Sequence, residues 1–454
     1  MQLSKSDYML FLKHPAWLWL KKHDKDKLPP VDESTQAMFD AGHKFEAYAE
    51  ALFKDGVTLG FSDFDEYNSL TERTQRALSD GATTLFQSRL EWGKYNCLPD
   101  IVNVVGYNEV DLYEIKSSTR VKEEHLYDLA FQRGVIEANG FTIRKIFVIY
   151  VNNKYIRHGD INSEDLTKMD DVTLAVHNLT AFTESNMPLA LETMKSSTMP
   201  DPNPIFLSKL GDKREWQTIY DSLEEIEDQG YTDAQPTINA SAINRFLGEL
   251  EYPLYFLDYE TMSAVVPYFD GHRPYQQVPS QYSLHILDSP DAELRHVEYL
   301  HRENTDPSQA IAQHLIKAIG TCGSIITWNM SFEKSCNVTL GLLNPEFADT
   351  MAAINERIVD LMIPFKPKNG WYSDPRFEGS ASIKKVLPVV VPSLSYKDLD
   401  IQNGGAAQAL WMQAVLDGTR DDKEKIIDDL IKYCRLDTLA MVEIYDALKK
   451  SCID

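Results

Sequence analysis

Cysteine is scarce in this chain: five thiols in 454 residues, at 97, 322, 336, 434 and 452, with no Cys-x-x-Cys pair among them. That spacing excludes the common zinc-ribbon sites and provides no disulfide framework, which leaves isolated thiols. Long apolar runs are also missing, and none reaches the length that spans a bilayer. The stretch 8–20 starts out apolar, but Lys13, His14 and Pro15 interrupt it. It lacks the basic start, unbroken apolar centre and small-residue cleavage site of a signal peptide. The expectation is a cytoplasmic location with no membrane partner. Basic residues are in deficit, 45 Lys and Arg against 69 Asp and Glu, for a formal net charge of −24. An imbalance of that size argues against a protein that grips polyanions by overall charge. Two features soften the argument: carboxylates that bind cations contribute to the acidity, and bases gather locally at Lys366, Lys368, Lys384 and Lys385.

What is present is ordinary for a globular protein, 43% hydrophobic and 25% charged, and the length implies two or three domains. Residues 1–160 alternate between strand and helix patterns: 85–91, 100–105, 110–116 and 145–151 as strand material, and 123–139 as a helix stopped at Gly140. Over 161–250 the composition turns acidic and polar, with Pro200, Pro202 and Pro204 clustered. This stretch reads as a helical connector, with helices over 216–228 and 240–250. A second α/β region occupies 251–454. It has strands at 254–258, 281–287 and 324–328, an amphipathic helix at 306–319, and a long terminal helix at 423–450.

In the second region Leu254-Tyr-Phe-Leu-Asp258-Tyr-Glu260 sets two carboxylates two residues apart at the end of an apolar strand, so both point to one face. Adjacent acids repel unless a cation lies between them, and an all-oxygen set suits Mg²⁺ or Mn²⁺. By itself Asp-x-Glu is equally compatible with a solvated strand end. Two further elements follow: the strand 325–328 leads into Asn329-Met-Ser-Phe332-Glu333, where a helix begins, and Tyr433-Cys-Arg-Leu-Asp437 shares one helix face at i,i+4.

In the first region Asp100 precedes Glu114-Ile-Lys116 by fourteen residues, and Glu114 and Lys116 alternate onto one strand face. Two acids and a lysine are what metal-dependent phosphodiester hydrolysis uses, the acids to hold the ion and the lysine to place water or offset charge. Alone, such a trio would be read as a surface cluster. The following helix carries Asp128 and Gln132, and an earlier one carries His43 and Glu46.

The second-region series resembles the DEDD exonuclease superfamily, which is DnaQ-like and built on an RNase H-like fold. Asp258 and Glu260 take its first motif, Asn329, Phe332 and Glu333 its second, and Tyr433 and Asp437 its third, in the tyrosine subtype. One departure is Glu333, where an aspartate is usual; Asp360 is a structural residue or a substitute ligand. The resemblance implies two-metal hydrolysis with Asp258 bridging, Glu260, Asp437 and possible help from Glu333 completing the shell, and Tyr433 orienting water. The first-region series resembles the RecB-like branch of the PD-(D/E)xK nucleases. Asp100, Glu114 and Lys116 match the triad, Gln132 the glutamine, and Glu46 the first-motif ligand in preference to His43; Ile136 replaces the usual tyrosine. The opening Leu3-Ser-Lys-Ser-Asp-Tyr and Lys13-His14-Pro15 resemble the start of relatives in which a cysteine helps hold a 4Fe–4S cluster. Here that position is His14, so no iron–sulfur cluster is expected.

Both regions in this order resemble a bacterial family that combines a RecB-like PD-(D/E)xK domain with a DEDD exonuclease-like domain. Further matches are Pro274-Tyr-Gln-Gln-Val-Pro, Gln281-Tyr-Ser-Leu-His285 and Gly379-Ser-Ala-Ser-Ile-Lys384. The expectation is therefore an α/β protein with a restriction-endonuclease-like domain, a helical connector and an RNase H-like domain. It would act as an Mg²⁺- or Mn²⁺-dependent nuclease, with DNA favoured over RNA as partner, in repair or defence. The alternatives are an RNA exonuclease, or a non-catalytic module that grips nucleic acid or protein. Glu333 and Ile136 favour the last, and the retained acids and Lys116 disfavour it.

Overall fold

A computed structural model describes residues 2–224 and 235–452. The fold is mixed α/β with several mixed sheets, and the chain forms two compact units, 1–31 with 38–228, and 32–37 with 229–454. Among the described residues no helix is long and apolar enough to cross a membrane.

The first unit is organised by a six-stranded sheet. In chain order its strands are β1 (Val57–Thr58), β2 (Thr84–Phe86), β3 (Ile101–Gly106), β4 (Glu109–Lys116), β5 (Thr142–Val151) and β6 (Thr167–Asp171), and they are also neighbours in that order. The strand material expected over 85–91 is broken, because Gln87 turns the backbone to a positive φ of 51° between β2 and the separate strand Leu90–Trp92. β3 and β4 are antiparallel, whereas β4 and β5 are parallel and linked by the helix Glu123–Ala138. A parallel pair needs such a crossover. Leu112, Ile146 and Val148 of the sheet, Phe131 and Val135 of that helix, and Met187 of the helix Thr180–Lys195 share one core.

The stretch 161–250 is divided rather than forming a layer of its own. β6 extends the first sheet, Met187 and Ala190 enter the first core, and Ile243 and Phe246 of the helix Ala240–Gly248 enter the second. Its acidic, polar surface hid these apolar anchors. The helix expected over 216–228 runs Lys213–Leu223, and positions 225–228 lie outside the described residues.

The second unit centres on five strands, β7 (Leu254–Met262), β8 (Val278–Leu287), β9 (Arg295–Leu300), β10 (Ile325–Thr327) and β11 (Ile358–Asp360), in the spatial order β9-β8-β7-β10-β11. β7 pairs antiparallel with β8 and parallel with β10. Because side chains alternate along a strand, β7 feeds two cores. Tyr255, Leu257 and Tyr259 join Ile311 and Leu315 of the helix Ser308–Ala318 and Leu340 of the helix Met330–Leu343. Leu254 and Phe256 join Met441, Ile444 and Tyr445 of the 28-residue helix Lys423–Lys450. Asp258 and Glu260 have the parity of Leu254 and Phe256, so they follow them onto the face covered by the long helix.

Candidate metal centre and a second acidic constellation

On that face Asp437 is buried on the long helix beside the end of β7. Asp258, Glu260 and Asp437 each offer a carboxylate oxygen, and these oxygens all lie within 4.8 Å of one another. Among the described residues this is the one such group of three or more His, Cys, Asp or Glu side chains. Burial, followed by the charge of Asp437, lifts both Asp258 and Glu260 well above the carboxylate range. Burial likewise pushes Asp437 up to about 7, against a hydrogen bond from Tyr396 and the charge of Lys384. The repulsion among three such acids is relieved by protons or by a cation.

The surroundings hold these groups in place. Tyr396 donates its hydroxyl to Asp437 Oδ1 at 2.6 Å, and its ring lies 6.1 Å from that of Tyr433. Cys434 Sγ lies 3.8 Å from Asp258 Oδ2. The helix Gly404–Trp411, capped by Asn403 through the Ala406 amide, starts beside Glu260, whose Oε2 would be 3.5 Å from a Cβ at Gly404. A helix N-terminus favours an anion there.

The second-motif residues sit apart from this triple. Asn329 is the residue before the helix Met330–Leu343, and Phe332 packs on the core beneath it. Glu333, in the first turn, is buried, and its Oε2 has no hydrogen-bond partner among the described residues. Burial raises its carboxyl to about 8. It is close enough to add to the charge felt by Asp258, yet it is not one of the three converging ligands. Asp360 is engaged elsewhere, bound by Lys366 Nζ at 2.6 Å and by the Met362 amide at 3.1 Å.

In the first unit the expected acids meet a different environment. Glu114 is fully buried and surrounded by donors: Lys116 Nζ at 2.7 Å and Lys5 Nζ at 2.9 Å on Oε1, and Gln132 Nε2 at 2.7 Å on Oε2. Burial pushes its carboxyl up, but Lys116 and Lys5 outweigh that and hold it well below the usual range. Lys116 also reaches Asp128 Oδ2 at 3.1 Å, and Gln132 reaches Asp128 Oδ1 at 2.9 Å. Asp100 accepts the Ile115 amide at 2.7 Å and lies 3.9 Å from Lys5 Nζ. Burial and the neighbouring Glu114 push it up to about 7. Glu46 accepts from Gln87 Nε2 at 3.2 Å, and the Gln87 amide donates to Asp100 O at 2.8 Å, so one residue ties Glu46 to Asp100, which immediately precedes β3. His43 is exposed.

His14, at the position of the cluster cysteine in the resembling proteins, is buried and caps a helix. Its Nδ1 accepts the Ala16 amide at 3.1 Å, and its ring stacks on Trp216 at 4.1 Å.

Sequence reasoning missed Lys5, Tyr396 and the special placement of Lys384. Lys5 lies in a segment already noted for its resemblance. Lys384 was visible as one base among several and as the end of a matching segment, with no role attached.

Residues 255–382 match the family model described as a domain of unknown function (DUF2779). The match takes in Asp258, Glu260, Glu333 and Asp360, and stops short of Tyr396, Tyr433 and Asp437. The chain is 28% identical over 219 residues to the Mycoplasma genitalium protein MG366, covering 43% of this chain and 32% of that one. A Mycoplasma pneumoniae homologue of MG366 is 27% identical over 223 residues, with the same two coverages. The Ureaplasma parvum protein UU173 is 26% identical over 251 residues, covering 48% of this chain and 34% of that one. The aligned segments thus span about a third of the length of these relatives.

Proposed function

We propose that this protein is a metal-dependent nuclease whose principal hydrolytic site is Asp258, Glu260 and Asp437, on an RNase H-like unit of the DEDD type. The observation that carries the reading is the convergence of three carboxylates within 4.8 Å. An all-oxygen donor set of this kind suits Mg²⁺ or Mn²⁺. The unpartnered buried oxygen of Glu333 next to Asp258 adds to the fit. These three acids would hold the ions. When bound, divalent ions supply charge stabilisation for the attacking and leaving oxygens and lower the pKa of water.

The chain's own groups do the rest. Tyr396 fixes Asp437 through Oδ1, which sets the direction of the remaining oxygen. Burial, then the charge of Asp437, keeps the Tyr433 hydroxyl protonated well beyond neutral pH. It can therefore orient a water by hydrogen bonding but does not act as a base. DNA remains the favoured substrate, with RNA the alternative.

A second reading applies to the first unit, the RecB-like PD-(D/E)xK candidate. Its key acid is already neutralised by two lysines and hydrogen-bonded by a glutamine. With Lys5 and Lys116 both engaged by carboxylates, an ion could enter only by exchanging those lysine contacts.

The test is incubation with end-labelled single- and double-stranded DNA and RNA, in Mn²⁺ or in EDTA, for the parent, Asp258→Ala and Lys116→Ala proteins. The account expects Mn²⁺-dependent cleavage that Asp258→Ala reduces to the EDTA level. Cleavage that survives Asp258→Ala but not Lys116→Ala would move the activity to the first unit. No metal-dependent cleavage of any substrate would remove the enzyme reading.

A further inference from the structure

Lys384 is badly placed for the stability of its own helix. It lies in the first turn of the helix Ile383–Val390, where the positive pole disfavours a cation. Its neighbour Lys385 has a partner, Glu378 Oε2 at 2.6 Å. Lys384 has no carboxylate within ion-pair distance among the described residues. Its Nζ lies 5.8 Å from the ring centroid of Tyr396 and 5.7 Å from that of Tyr433, and it donates to the carbonyl of Gln402.

Three anchors fix this arrangement. Trp328, just past β10, donates Nε1 to Ala381 O at 3.0 Å, which ties the loop before Lys384 to the sheet. Gln402 Nε2 donates to Leu399 O at 3.1 Å, steadying the segment whose carbonyl Lys384 uses. Tyr396 offers its ring to Lys384 and its hydroxyl to Asp437. The ammonium is thus held beside Tyr396 and Tyr433, close enough for Asp437 and Glu260 to attract it. Two aromatic faces hold a cation without consuming its hydrogens, and of the three that a lysine carries the Gln402 carbonyl takes one.

We propose that Lys384 is the phosphate-binding residue of the Asp258–Glu260–Asp437 centre, donating to a non-bridging oxygen of the nucleic-acid phosphodiester held there. The inference rests on the nuclease reading above and adds the residue that receives substrate. An ammonium in direct contact with all three carboxylates would compete with the metal. One that is near but unpaired leaves the ligands free and presents positive charge where a phosphate must come.

The test uses the full chain as parent, Lys384→Met, Lys384→Gln and Lys384→Arg, with thermal unfolding to confirm the fold of each. Two quantities are measured: Mn²⁺ affinity by calorimetry, and the affinity of a short single-stranded deoxyoligonucleotide in Ca²⁺ across a salt series. Loss of one phosphate contact should weaken the oligonucleotide about tenfold and make the log–log salt slope shallower by about 0.7. Mn²⁺ affinity should be equal or tighter in Lys384→Met and Lys384→Gln, since a nearby positive charge is gone, and Lys384→Arg, which keeps the charge, should bind the oligonucleotide more tightly than either. Parent-like affinity and slope in both Lys384→Met and Lys384→Gln would overturn the proposal and leave the metal centre standing. Failure of the parent to bind Mn²⁺ would overturn the nuclease reading first, and this proposal with it.

Discussion

Glu114 in the first unit and Asp258 in the second are both acids within a strand, each with a second acid nearby and a helix packed over the sheet. Their electrostatics are opposite. Around Glu114 the fold supplies Lys5, Lys116 and Gln132, and the carboxyl stays ionised despite complete burial. Around Asp258 it supplies Glu260 and Asp437, with Lys384 standing off over two tyrosines, and the acids are driven towards protonation. Buried acids satisfied by bases contribute to the fold; buried acids facing other acids weaken it unless a cation arrives. The contrast is between a buried acid already paired with bases and three acids that face one another, which is the arrangement the proposed metal would relieve.

The largest expected effect comes from breaking the first. Glu114→Gln leaves two ammonium groups facing a neutral amide in place of their shared negative charge and should cost about 3 kcal/mol, the low end for a buried pair because both lysines keep some water. Denaturant unfolding measures it, and a loss under about 1 kcal/mol would show that the network is weaker than its geometry.

In the second unit Tyr396→Phe frees Asp437 Oδ1. It should weaken Mn²⁺ about tenfold, as loss of a group that orients a ligand does, which calorimetry reads directly.

The corresponding removal of an acid has the opposite sign. Asp258→Asn in EDTA should raise the melting temperature by about 3 °C. A decrease would mean that the triad is stabilised by contacts beyond those described.

The smallest effect is in pH. Asp437 has an ordinary value of 3.8 and a folded value of about 7, so the folded chain binds the extra proton between them. Its contribution to stability is present at low pH and fades as pH rises through about 7. In EDTA the second unit should therefore melt lower at about pH 8 than at about pH 5, and Asp437→Asn should flatten that trend. Saturating Mn²⁺ should reverse it, since ionised ligands bind the metal.

Much of this was legible in the residues. The period of β7 put Asp258 and Glu260 on one face, and the i,i+4 step brought Tyr433 and Asp437 together. Likewise, Glu114 and Lys116 alternate as the strand demands. What could not be read is what depends on distant packing. Lys5 meets Glu114 across 109 positions and Tyr396 meets Asp437 across 41, and no local pattern announces either. Over 161–250 the expected helices are present, but a polar surface concealed the few apolar side chains, such as Met187 and Ile243, that enter the cores. Glu333 kept its motif position in sequence, and only the fold shows that it stands outside the converging triple.

The most direct test of the central claim is a Mn²⁺ titration of the parent, Asp258→Asn and Glu114→Gln proteins, followed by calorimetry or by the paramagnetic resonance of the free ion. The account predicts binding by the parent, retention in folded Glu114→Gln, and loss in Asp258→Asn. No binding by the parent, or binding lost in Glu114→Gln and kept in Asp258→Asn, would contradict it.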